Sequence, residues 1–293
     1  MNIPFLKFTK LYYILSASLA ILAVLAISIF GLKMGLDFSG GSILEIQFDN
    51  RPSNDVIQEK LQDLGIGEIV IQPTGENGAI IRMGTIDENT HAAILSRLGG
   101  ISNIGELRFE SIGPAVGKEL SQKTLVLIIV SLVALLIYIA IAFRKVSWPV
   151  SSLQYGLISI LALTFDVLIT IGVFSLLGKF YNVQFNIPII TALLTILGYT
   201  INDKVIVFDR VRENLIKNRM ADFKDIVNRS LNQTLFRSIS TGFCSLLALL
   251  AIFFLGGETL KYFALTLIVG IVIGTYSSLF LASPLLVSWR RRR

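Results

Sequence analysis

Six stretches of the chain stay apolar long enough to cross a hydrocarbon layer of ~30 Å, which takes about 20 residues. They fall near Leu11–Leu32, Thr124–Phe143, Pro149–Leu177, Ile187–Phe208, Ile239–Leu255 and Tyr262–Ser288. Between the first two the pattern changes. Residues 42–48 (S-I-L-E-I-Q-F) alternate like a half-buried strand, with Leu44 and Ile46 set against Glu45 and Gln47. From Ser53 to Leu64, the residues Val56, Ile57, Leu61 and Leu64 give a helix one apolar face, with Ser53 as its N-cap. Glu68–Gln72 and Ala79–Met83 read as strands joined by a turn at 73–78, Asp87–Leu98 as a helix and Ile104–Ser111 as a last strand. That order, β-α-β-β-α-β, predicts a ferredoxin-like domain. The expected fold class is a polytopic α-helical membrane protein with six transmembrane helices and a ferredoxin-like α+β extracytoplasmic domain. Its expected parts are 1–33 (N-terminus and first helix), 34–122 (the domain) and 123–293, a five-helix bundle with a cytoplasmic loop at 209–237 and a basic C-terminal tail.

Composition supports the membrane class: of 293 residues 53% are hydrophobic and 16% charged, and the mean hydropathy is +0.71. The first apolar stretch exceeds the 7–15 residues of a signal-peptide core and no small-x-small cleavage site follows, so it reads as a retained span. The net charge of +6 does not point to nucleic acid, because its distribution follows the membrane. With the N-terminus cytoplasmic, fifteen of the 26 Lys and Arg lie on inside segments: the N-terminus, the 144–147 loop, 209–237 and Arg290–Arg293. The short outside loops carry only Lys179 and Lys261. The arginine tail therefore reads as an anchor beside membrane lipids. Cys244 and His91 are the sole cysteine and histidine, which leaves no internal disulfide and no zinc or haem site. No phosphate-binding loop of the form G-x-x-x-x-G-K-[ST] is present, so neither ATP hydrolysis, a cofactor nor a metal is expected.

Charge inside the spans carries the chemistry. The run Gly198–Asn214 (GYTINDKVIVFDRVREN) places Asn202, Asp203 and Lys204 before three more apolar residues, then turns ionic at Asp209. At ~1.5 Å per residue, Asp203 lies roughly 9 Å inside that boundary. A carboxylate at such depth costs about 2.5–3.5 kcal/mol, so it must be paired, hydrated or protonated. It serves either as a helix–helix hydrogen bond or as an ionisable group on an ion path. Lys204, ~100° around the helix, either snorkels to the interface or pairs with an acid on another span. Asp166 sits in the middle of the third span, and Arg237 stands at the entrance to the fifth, as an interfacial anchor or as a partner for a carboxylate. Gly270 and Gly274 form a G-x-x-x-G that predicts close helix packing, and Gly198 and Gly242 carry the same expectation.

Three motifs then occur in order: G-x-D-F-x-G-G at Gly35–Gly41 (Gly35, Asp37, Phe38, Gly40, Gly41), S-I-G-P-x-V-G at Ser111–Gly117 (Gly113, Pro114, Gly117), and Y-x-I-N-D-x-V-I-V-F-D-R-x-R-E-N at Tyr199–Asn214 (Asn202, Asp209, Arg210, Arg212, Glu213, Asn214). With six spans and one large first outside domain, the chain resembles the SecD/SecF family of protein-export membrane proteins, within the RND superfamily of proton-driven transporters. The resemblance implies that Asp203 is the proton-pathway aspartate, that Arg237 assists it and that Asp166 is the third-span aspartate. Phe165 stands where a histidine often precedes that aspartate, and Lys204 where a small hydroxyl residue is commoner. The resemblance further implies the separate-subunit form, working with SecD at the SecY–SecE–SecG channel in the bacterial inner membrane, with YajC, YidC and the preprotein as further partners. It implies transport driven by the proton motive force rather than an enzyme activity. The competing readings are small-molecule efflux and an intramembrane aspartyl protease using Asp166 and Asp203 as a dyad.

Overall fold

The computed structural model describes residues 3–142, 150–218 and 220–290. The expected 144–147 loop, the junction of the second and third predicted spans and Arg291–Arg293 lie outside the described residues. In chain order the elements are α1 (Thr9–Phe30), α2 (Leu36–Ser39), β1 (Gly41–Phe48), α3 (Asn54–Leu61), β2 (Val70–Thr74), β3 (Gly78–Met83), α4 (Glu88–Gly99) and β4 (Ile104–Ile112). There follow α5 (Pro114–Ala142), α6 (Ser152–Tyr181), α7 (Ile187–Lys217), α8 (Phe223–Leu255), α9 (Glu258–Ser277), a π-helical turn (Ser278–Ala282) and α10 (Ser283–Ser288). The chain divides into two compact units, Met34–Leu125 and Met1–Lys33 with Val126–Arg293.

In the first unit the strands form one antiparallel sheet in the order β2-β3-β1-β4, the order of a ferredoxin-like split βαβ. Alternation along β1 sends Leu44, Ile46 and Phe48 into the core. There they meet Ala79, Ile81 and Met83 of β3, Ile57 and Leu61 of α3, and Ile94 and Leu98 of α4. The second strand runs later than predicted, through Pro73 to Thr74. Proline is tolerated there because β2 is an edge strand, where its missing N–H breaks no ladder. Ser53 occupies the N-cap of α3 but its side chain makes no cap bond. Asp87 does cap α4, accepting from the Thr90 amide at 3.0 Å. The buried His91 lies stacked on Phe109 at 3.9 Å.

The second unit contains the apolar helices except for the start of α5, which belongs to the first. Six candidate spans are present: Phe5–Phe30, Pro114–Ala142, Ser152–Tyr181, Ile187–Lys217, Phe223–Leu255 and Leu260–Ser288. Several boundaries differ from the hydropathy reading. The second helix begins at Pro114 rather than near Thr124, because proline is well suited to a first helical turn. The inter-span segment 209–237, whose amphipathic pattern reads as a helix pair, is helical at both ends: α7 runs on to Lys217 and α8 starts at Phe223. The reason is an apolar face within the polar sequence. Val211, Phe223, Ile226, Val227 and Leu231 are buried in the same cluster as Tyr155 and Phe208. The last span is interrupted by the π-turn before Pro284. Proline cannot donate to the preceding turn and crowds the carbonyl four residues back, and a wider turn relieves both.

Glycine sets how closely the helices approach. A Cβ at Gly270 would come within 2.1 Å of Ile196, and one at Gly274 within 2.1 Å of Thr200, so the G-x-x-x-G brings α9 tightly against α7. Gly198 has nothing within 4 Å of its absent Cβ among the described residues, so the expected packing role does not apply to it there.

Candidate functional site: two buried carboxylates on neighbouring seams

Helix α7 presents two adjacent faces to different neighbours. Thr200 and Lys204, one turn apart, face α6 and α9. The ammonium of Lys204 lies 2.8 Å from Oδ2 of Asp166, and both side chains are 0% exposed. The same Nζ lies 3.5 Å from the Thr200 carbonyl. The absent Cβ of Gly274 leaves room: its position would be 3.6 Å from Asp166 Oδ2. Of the two roles open to Lys204 from the sequence, pairing with an acid on another span is the one observed. Two oxygens of this cluster, Asp166 Oδ1 and Thr200 Oγ1, are enclosed and have no hydrogen-bond partner among the described residues.

The other face of α7 meets α8. Tyr199 hydrogen-bonds through its hydroxyl to the Thr241 carbonyl and to Ser245 Oγ, both at 3.0 Å. Further along, Arg210 donates to Gln233 at 2.7 Å, and the buried Asn214 donates to Ser230 and Gln233 at 2.8 Å. Residue numbers thus climb on α7 as they fall on α8, the register of an antiparallel pair. One turn on from Tyr199 is Asp203, and one turn back from Thr241 is Arg237. Thr241 is itself bonded to the Arg237 carbonyl at 2.8 Å. The register therefore sets Asp203 beside Arg237. Lys204 and Arg237 are the cations close enough to act on Asp203 electrostatically. Asp203 is 2% exposed, yet no hydrogen bond or ion pair to its carboxylate is found among the described residues.

The remaining motif residues have structural surroundings. Asn202 is exposed, whereas Asp209, Arg210, Arg212 and Glu213 are tied along the helix surface: Asp209 to Arg212 at 3.3 Å, Arg210 to Glu213, and Glu213 to Lys217 at 2.6 Å. The two glycine motifs meet inside the Met34–Leu125 unit. A Cβ on Gly40 would strike Pro114 Cα at 2.9 Å, and one on Gly117 would strike the Phe38 carbonyl oxygen at 2.9 Å. Gly40 and Gly41 also hold φ of 74° and 131°, where side chains are strained. Gly35 is buried and Asp37 stands in the first turn of α2, whereas Gly113 has open space around it. Thr200 and Gly274 are the members of the buried cluster that charge-based reading of the sequence missed. The available signal was their spacing: Thr200 lies one turn from Lys204, and Gly274 is the second glycine of the G-x-x-x-G.

These features define a class: a polytopic membrane protein with ionisable groups enclosed within its helix bundle. Comparison with known proteins narrows it. Residues 93–292 match the family described as "Protein export membrane protein SecD/SecF, C-terminal", and residues 25–50 match the "SecD/SecF GG Motif". A protein translocase subunit SecF from Thermobaculum terrenum is 39% identical, covering 99% of this chain and 95% of that protein. One from Anaerolinea thermophila is 38% identical, covering 95% and 91%. The crystal structure of SecDF, a translocon-associated membrane protein from Thermus thermophilus, superposes with a TM-score of 0.86 at 34% identity over 99% of this chain. This chain spans 39% of that longer protein. The chain belongs to the SecD/SecF family of protein export membrane proteins.

Proposed function

We propose that this protein is an accessory subunit of the Sec translocase that couples a cation gradient, the proton motive force, to late steps of preprotein movement across the bacterial inner membrane. The observation that carries the reading is Asp203, a carboxylate 2% exposed that has no hydrogen-bonding partner among the described residues and stands in register with Arg237. A carboxyl so enclosed binds a proton or another cation readily, and an approaching guanidinium reverses that preference. Leaning of α8 against α7 changes the distance between the two, and so links cation exchange at Asp203 to helix movement. Its expected partners are a SecD-type subunit and the SecY–SecE–SecG channel, with YajC and YidC at the same assembly. The solved SecDF chain carries a SecF-like part within one longer polypeptide, which supports the first of these. The concentration of Lys and Arg on alternate segments supports cytoplasmic termini. The chain's role is transport rather than catalysis. A protease dyad needs two carboxyls sharing a proton, and here Asp166 is bonded to Lys204 instead. Small-molecule efflux has no specific observation in its favour.

The experiment is export of a preprotein into inverted membrane vesicles that hold this chain with its SecD partner, with and without an imposed pH gradient. Asp203→Asn is expected to leave the complex assembled and to remove the gradient-dependent part of export. Full gradient stimulation in that variant would refute the reading.

A further inference from the structure

Asp166 and Thr200 present a cluster of oxygens that has the composition of a cation site. It comprises two carboxylate oxygens, one hydroxyl and the Thr200 carbonyl, the hard donors that hold monovalent and divalent cations elsewhere. What lies among them is the chain's own ammonium, 2.8 Å from Asp166 Oδ2 and 3.5 Å from the Thr200 oxygen. We propose that Lys204 is a tethered cation occupying a second cation-binding site formed by Asp166 and Thr200. By filling that site permanently, it takes Asp166 out of ion exchange and leaves Asp203 as the one exchanging carboxylate. This rests on the reading of Asp203 given above.

Three observations carry it. First, the pair is fully enclosed, with both side chains at 0% exposure, so no aqueous cation competes without displacing Lys204. A ligand attached to the same chain competes at an effective concentration that a free ion does not match. Second, the charges around Asp166 balance with Lys204 alone. Between Thr9 and Phe30 on α1 the only charged residue is Lys10, next to the helix start, with Tyr12 and Tyr13 as the other titratable groups. From Leu260 to Ser288 they are Lys261, Tyr262 and Tyr276, and the Tyr276 hydroxyl is engaged with Ser16 at 3.0 Å. On α6 itself the nearest are Tyr155 and Lys179, each more than two turns away. On α7, the flanking titratable groups are Tyr199, bonded to α8, and Asp203. Third, Asp166 Oδ1 and Thr200 Oγ1 are buried and unpartnered among the described residues. Neutralising Lys204 therefore leaves a vacant, oxygen-lined site rather than a collapsed apolar one.

The test is infrared difference spectroscopy of protonated-carboxyl bands during a pH titration, on the chain assembled with its SecD partner in lipid. In the natural chain, one enclosed carboxyl should titrate, and Asp203→Asn should remove it. The neutral pair Asp166→Asn with Lys204→Met should keep that band unchanged. Lys204→Met alone should add a second titrating band that sodium or lithium ions shift and that Asp166→Asn then abolishes. Loss of a titrating band in the neutral pair would overturn the proposal, because it would show Asp166 already exchanging beside Lys204. Absence of a second band in Lys204→Met would also overturn it. Should that variant fail to fold, the neutral pair, which leaves no unpaired charge, decides alone. A natural chain in which no band depends on Asp203 would count against the coupling role of Asp203, while the outcome for Lys204→Met would still judge the tethered cation.

Discussion

The two carboxylates inside the bundle lie at adjacent faces of one helix and have opposite surroundings. Asp166 faces a lysine at 2.8 Å in a site closed by α6, α7 and α9. Asp203, one residue before that lysine, lies on the seam with α8 and has no bonded partner among the described residues. A buried charge with its counter-ion in place gains nothing by titrating. A buried carboxyl without one gains by exchanging a proton when its surroundings shift. Depth in the membrane therefore does not mark an ion pathway by itself. On the proposed reading, the mark is a buried charge without a fixed counter-ion.

That contrast can be broken in a definite order. Removing one member of the closed pair, by Asp166→Ala, is expected to destabilise the bundle by about 3–5 kcal/mol, since it strands a buried ammonium. Asp203→Asn should shift the same unfolding midpoint, measured in bicelles, by far less. Equal losses for the two would erase the distinction. Gly274→Val comes next: its side chain would collide with Thr200, where Cβ alone falls at 2.1 Å, and overpacking of this kind costs about 1–3 kcal/mol. Tyr199→Phe removes the hydroxyl bonds to Thr241 and Ser245 and should cost about 0.5–1.5 kcal/mol. It should also loosen the Asp203–Arg237 register, seen as a lower gradient stimulation of export at unchanged assembly. The smallest effect is expected at the exposed Asp222–Arg290 pair. The Arg290 guanidinium, bonded at 2.9 Å, holds the Asp222 carboxyl below its ordinary range. The contribution is thus present at neutral pH and fades only as pH falls through that lowered value. Arg290→Ala should move the unfolding midpoint hardly at all at neutral pH, and added salt should cancel what remains.

Much of this was legible in the chain. Strand alternation at Leu44 and Ile46 and the helix face of Ile57 and Leu61 lead directly to the four-stranded domain, because burial there follows local periodicity. The spans were legible as runs of apolar residues, but not their ends. Val211, Phe223 and Leu231 are buried in one apolar cluster, so the helices continue through a polar sequence in which hydropathy places no span. The partner of Lys204 was not legible either. Sequence spacing shows that Lys204 lies ~100° around the helix from Asp203, but only the packing of α6 against α7 shows that Asp166 waits there. The meeting of Gly40 with Pro114 is likewise a product of β1 lying beside β4, far apart in sequence and adjacent in the sheet.

The contrast is tested most directly by gradient-driven export from vesicles carrying either Asp203→Asn or the neutral pair Asp166→Asn with Lys204→Met. The expected result is that the first loses stimulation by the gradient while the second keeps it. Stimulation that survives Asp203→Asn, or disappears with the neutral pair, would contradict the assignment of ion exchange to Asp203 alone.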